Sequence, residues 1–263
     1  MAIRDILVHL DQTPRAAARL ALATALATQC RAHLTGLYVT QRPVPASDRQ
    51  TGAAMTAEGF RGWLGQRRLE GAWRLENGSS AAALARFGRC SDLTVLGQHD
   101  PQEGRGGLSE RELVGVLRSI GRPVLAVPYA GSFASIGKRV LVLWQSGPES
   151  TRALHEALPL LCDAKAVQVL VSICGRQPDV DTSGAGRDVL CHLSRHGVVA
   201  QGGRFHTDKG IDAGEAMLSY AADYGADLMV AGASLGTRVG EMIFGSSALT
   251  ILRKMTVPVL LSN

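Results

Sequence analysis

An α/β protein made of two tandem domains, each a doubly wound parallel sheet, is the fold the sequence predicts, and three observations predict it. The chain of 263 residues repeats itself: Val140 to Pro148 follows Ile6 to Pro14 at an offset of 134, and Ala226 to Gly232 follows Ser91 to Gly97 at 135. Pro258-Val-Leu-Leu follows Pro123-Val-Leu-Ala at the same 135. A constant offset over three separate segments marks a duplication, with one domain over residues 1–131 and the other over 137–263. Each copy then alternates short apolar runs with helix-forming stretches through short loops, the pattern of a parallel sheet with right-handed crossovers. Finally, polar residues and glycines stand at strand ends, at Asp11, Gly97, Gln145 and Gly232, where such sheets bind ligands.

Ile3 to Leu10 is rich in Ile, Leu and Val and is bounded by Asp11-Gln-Thr-Pro14, which reads as a strand buried on both faces. Thr13 is the expected N-cap of the next helix with Pro14 at its first position, and the Ala- and Leu-rich stretch to Gln29 continues it. Ala32 to Val39 returns to strand. In the second copy Arg139 to Trp144 is strand, Ser146 or Gly147 caps, Glu149 to Cys162 is helix and Ala166 to Ile173 is strand. Residues 41–62, with two prolines and three glycines, read as a loop or mobile segment matched by Arg176 to Gly186. Glu70 to Leu75 is the next strand and Ser79 to Cys90 a serine-capped helix, paired with Val198 to Phe205 and Ala213 to Tyr224. Each half closes with strand, long loop or helix, and strand.

Composition narrows the function classes. Five cysteines, Cys30, Cys90, Cys162, Cys174 and Cys191, are odd in number and lack a C-x-x-C pair, which points to buried thiols in a reducing compartment. The amino terminus enters a strand without a signal-peptide pattern and no apolar run approaches a membrane span, so a soluble, cytoplasmic protein is expected. The net charge of +5 comes from 28 basic and 23 acidic residues spread along the chain. Nucleic-acid binding wants clustered Lys and Arg with stacking aromatics, and only isolated basic pairs occur.

After the strand Asp227 to Ala231 comes Gly232-Ala-Ser-Leu-Gly-Thr-Arg-Val-Gly-Glu-Met-Ile-Phe-Gly-Ser-Ser247, then a helix expected over Ala248 to Met255. Free amides and the positive dipole end at a helix start accept a phosphate, with hydroxyls as added donors. A glycine at 232 lets a ligand approach the backbone. As isolated residues, these glycines and serines are as readily turn formers and a cap.

Taken together, the duplicated plan, the strand-final glycine, the Gly-Ser-Ser and the closing Pro-Val-Leu strand resemble the universal stress protein family in its tandem form. The resemblance implies a five-stranded parallel sheet per domain, of the adenine nucleotide alpha hydrolase-like type, with the two domains packed as an internal pseudo-dimer through Val124 to Val127 and Val257 to Leu261. Covering such an apolar edge strand has a physical reason. For nucleotide-binding members it implies G-x2-G-x9-G-[ST], with adenine near an acidic residue ending the first strand. Carried onto copy two, the pattern places Gly232, Gly245, Ser246 and Ser247 at the phosphates of ATP, with magnesium. The second glycine position falls on Leu235, one residue before Gly236, and Gln145 replaces the acid. Copy one keeps Asp11 and Gly97, but Glu110-Arg111 stands at the Gly-Ser position, and a carboxylate there repels a phosphate.

Other constellations carry less. His99-Asp100 with Glu103 and Glu110 fits an exposed polar loop, and His192 with His196, four apart on a helix beside Cys191, fits surface histidines and a buried thiol. Ser79-Ser80 and Ser246-Ser247 lack the partners of a hydrolase triad. Trp63, Trp73 and Trp144 read as core or interface residues. The expected function is a stress-related regulatory or protective binding protein, not an enzyme, with ATP as the ligand of the second domain and protein partners unnamed. A nucleotide-free interaction module with both sites filled is one alternative; a slow ATPase, needing Glu241 as a metal-binding acid, is another. Whether two chains associate further stays open.

Overall fold

The computed structural model describes residues 2–40, 56–102, 107–172, 182–205, 211–233 and 242–263. The chain divides into two compact units, 2–135 and 136–263. The first contains β1 (Asp5–Leu10), α1 (Ala16–Cys30), β2 (His33–Thr40), α2 (Ala57–Gln66), β3 (Gly71–Asn77), α3 (Ser80–Gly88), β4 (Leu93–Gly97), α4 (Glu110–Ile120) and β5 (Val124–Val127). Its strands pair in parallel in the order β3-β2-β1-β4-β5.

The second unit contains β6 (Arg139–Trp144), α5 (Pro148–Leu161), β7 (Ala166–Ser172), α6 (Thr182–Arg195), β8 (Ala200–Phe205), α7 (Ala213–Tyr224), β9 (Leu228–Gly232), α8 (Met242–Lys254) and β10 (Val259–Ser262). The order β8-β7-β6-β9-β10, again parallel, repeats the first. Each unit is therefore the expected five-stranded doubly wound sheet. Strand order reverses between β1 and β4, and between β6 and β9, so each unit has one crevice beyond the carboxyl ends of its central strands.

The duplicated Asp-Leu pair that opens β4 and β9 has a structural use. Asp92 Oδ2 accepts from Arg4 N and Asp5 N at 2.8 and 3.1 Å. Its twin Asp227 accepts from Gly137 N, Lys138 N and Arg139 N, each at 3.0 Å. Amides before the central strand have no ladder partner, and a carboxylate from the neighbouring strand satisfies them. The central strands themselves are apolar and buried, from Ile6, Leu7 and Val8 to Val140, Leu141 and Val142.

Several boundaries differ from the sequence expectation. Residues 57–62 are not loop but the start of α2, and residues from Thr182 belong to α6; the remainder of those segments lies outside the described residues. Three glycines hid α2 by lowering its helix propensity, yet Thr56 caps it through Gly59 N, and Phe60 and Leu64 bury one face. Thr13 does not cap α1, which begins at Ala16 after Arg15. Both its amide and its hydroxyl donate instead to Asp11 Oδ1, at 3.0 and 2.6 Å. The thiols differ too: Cys90, Cys162 and Cys191 are exposed and Cys30 is half-buried. Cys174 lies outside the described residues. Cys90 and Cys162 follow the ends of α3 and α5, and Cys191 lies on α6, placements that composition alone does not reveal.

Candidate functional site

In the first domain the crevice is closed from within. Asp11, at the end of β1, is buried, and Arg19 of α1, only 3% exposed, reaches across to it. Arg19 Nη2 donates to Asp11 Oδ2 at 2.7 Å and Nε donates to the His9 carbonyl at 2.6 Å. The same guanidinium lies against Gly97, the strand-final glycine of β4, where a Cβ would collide with Nη1. Gly97 is thus needed to admit an arginine from the same chain. The space left over is a cavity of about 110 Å³ bordered by Asp11, Arg15, Gln98, Tyr129 and Phe133. Small-molecule sites commonly span about 300–1,000 Å³, so the cavity has room for a few waters and none for a nucleotide.

His9 sits beneath this pair. Burial, joined by the Arg19 charge and opposed by Asp11, holds its imidazole well below the usual value, at about 4. It is therefore neutral at neutral pH, and the 3.6 Å approach of its Nδ1 to Asp11 Oδ2 is not an ion pair. Among the described residues the charged partner of Asp11 is Arg19.

The second domain is built differently at the same place. Ala153 occupies the position of Arg19, 134 residues on, and Gln145 that of Asp11. Helix α5 begins two residues sooner, with Gly147 as N-cap and Pro148 at its first position. Gln145 N donates to Ser150 Oγ at 3.3 Å. The strand-final Gly232 meets the backbone of that turn: a Cβ on it would stand 2.5 Å from Ser150 N and 2.7 Å from Glu149 C. Its bare Cα lets the α5 start pack onto β9. Gly236 lies outside the described residues, as do Leu235 and Glu241. Gly245 and Ser246 belong to α8, which begins at Met242 and not after Ser247. In a helix starting there, the free amides are those of the first turn, ahead of the Gly-Ser pair. Ser247 is buried, and its carbonyl faces Gly214 of α7.

Sequence reasoning missed Arg19. Its signal was present: Arg19 shares a helical face with Ala16, Leu20 and Ala23, all buried, and a cation on an apolar face needs a buried partner. Of the remaining candidates, His99 and Asp100 border the first cavity, while Glu103 lies outside the described residues. The ring of His192 stands 4.9 Å from that of His155 and 4.7 Å from that of His196. Among the described residues no group of three His, Cys, Asp or Glu could hold a metal ion, and no helix is long and apolar enough to cross a membrane.

Two parallel five-stranded units, each with a crevice at its strand-order reversal, define a tandem α/β protein. Residues 137–263 match the model of the Universal stress protein family. A universal stress protein from Archaeoglobus fulgidus is similar over 98% of this chain and 96% of its own, at 14% identity and a TM-score of 0.68. A functionally unknown protein from Pseudomonas aeruginosa is similar over 99% of this chain and 92% of its own, at 16% identity and a TM-score of 0.64. No protein of curated function matches. The second domain thus matches the universal stress protein family directly, and the first repeats the same strand order.

Proposed function

We propose that this chain is a regulatory or protective protein of the stress response that acts by binding, not catalysis, and that ATP with magnesium is a ligand of the second domain only. The observation that carries this reading is Arg19. A nucleotide does not fit the first domain, because its guanidinium neutralises Asp11, packs on Gly97 and leaves about 110 Å³. Ala153 removes that obstacle from the second domain, where Gln145 offers an amide to a base in place of a carboxylate. Gly245 and Ser246 then stand in the opening turns of α8, close to the positive end of its dipole.

A specific observation favours a second reading, a nucleotide-free interaction module. Gly232 is already covered by the Glu149 and Ser150 backbone, so both strand-final glycines serve packing within their own domain. Calorimetric titration of the nucleotide-stripped chain with ATP and magnesium separates the two, run beside Gly245→Glu, which imports the acid of the first half. One site per chain, lost in the variant, supports the binding reading. No heat at millimolar ATP supports the interaction module. Phosphate release in the same samples tests the slow ATPase.

A further inference from the structure

The two domains differ most sharply away from the crevice, at the sheet edge formed by the third strand of each. In the first domain that edge is filled by aromatic rings. Trp73 of β3 stacks on Tyr38 of β2 with ring centroids 6.0 Å apart and packs against Phe60 of α2 at 5.5 Å. Strand register carries the comparison across: Leu34 pairs with Gly71 in one domain as Val167 pairs with Ala200 in the other. Counting along both pairs, Tyr38 corresponds to Val171 and Trp73 to Gly202. The second domain has therefore replaced an indole with a hydrogen atom and a phenol with an isopropyl group.

Among the described residues no aromatic ring takes that place; Leu190 of α6 reaches over Gly202, its Cδ1 2.9 Å from where a Cβ would stand. Between α6 and β8 lies an open groove of about 670 Å³ with Val171, Leu190 and Gly202 on its floor. Its sides carry Arg187, Arg195 and Arg204, all exposed, and no acidic residue among those that line it. Arg187, Cys191 and Arg195 recur at four-residue spacing and so share one face of α6, while Arg204 comes from β8. The geometry points to a binding site for a small aromatic phosphate: a planar ring laid on the aliphatic floor of Val171 and Leu190 beside Gly202, with the anion held by guanidinium groups from the groove's sides. An aliphatic floor accepts a flat apolar face, and guanidinium groups match phosphate oxygens bidentately. The volume falls within the range of ordinary small-ligand pockets, about 300–1,000 Å³. Among the described residues neither Gly232 nor α8 borders the groove.

The full-length chain would be titrated with 1-naphthyl phosphate and followed by its fluorescence, with 1-naphthol and inorganic phosphate as the half-ligands. Saturable binding is expected at one site per chain, with each half-ligand weaker by about tenfold or more. Arg204→Gln, at an exposed position that leaves the core alone, should weaken binding about tenfold by removing one bidentate partner. Gly202→Trp should abolish it by restoring the indole; the side chain it meets first is the flexible end of Leu190. Cys191, exposed and within the groove, gives an independent readout: the ligand should slow its alkylation and leave Cys90 unaffected. The proposal is overturned if 1-naphthyl phosphate fails to saturate, or binds no tighter than phosphate. Binding unchanged by Arg204→Gln but lost in Gly245→Glu would also overturn it, because the ligand would then sit on the glycine loop.

Discussion

One arginine decides the character of the first domain. Buried charge pairs contribute little net stability, but removal of one partner strands the other. Arg19→Ala should therefore destabilise the first domain by about 3–5 kcal/mol, read as an earlier urea transition, while Ala153→Gly in the second should not approach that loss. His9 adds a pH dependence. With its folded value near 4 against 6.5 when free, the unfolded chain takes up a proton first as pH falls. Stability should decline from about pH 6.5 to about pH 4, by about 3 kcal/mol, and level off below. His9→Leu copies Leu143, its counterpart 134 residues on, and should flatten urea midpoints across that window. A slope that survives the variant would assign the titration elsewhere.

At the scale of elements, the repeats were legible where apolar periodicity is strong and obscure where glycine dilutes it. The central strands, α7 at Ala213–Tyr224 and the serine cap of α3 could be read directly from residue types. Helix α2 could not, since Gly59, Gly62 and Gly65 argue for loop and only the burial of Phe60 and Leu64 argues back. The start of α8 was set too late because Gly-Ser-Ser looks like a helix entrance, whereas Met242-Ile-Phe already continues the helix. The duplicated aspartates, in contrast, were visible but had no reading until their partners were known. Asp227 fastens three amides at the entrance to β6, those of Gly137, Lys138 and Arg139. Asp227→Ala should cost about 1–3 kcal/mol for the donors it leaves unpaired, measured by thermal unfolding, and hydrogen exchange should quicken at residues 137–139.

For the whole molecule, duplication has been followed by divergence of each copy along a separate line. Fold was legible because the repeat exposes itself at a constant offset; the site was less so, because its fate turns on side chains that fill space. Arg19 fills one crevice and Trp73 one edge, where the second copy has Ala153 and Gly202 instead. Motif spacing registers glycines and serines and is blind to such fillers. A stoichiometry follows from this asymmetry. If ATP binds, the full chain should hold no more than one molecule, and Arg19→Ala should not add a second. Freeing the crevice leaves Glu110 at the start of α4, where its carboxylate opposes a phosphate. Only the double change Arg19→Ala with Glu110→Gly removes both obstacles. Equilibrium dialysis returning two nucleotides per unaltered chain would show that the first domain opens in solution and would sink the assignment of Arg19 as a permanent occupant.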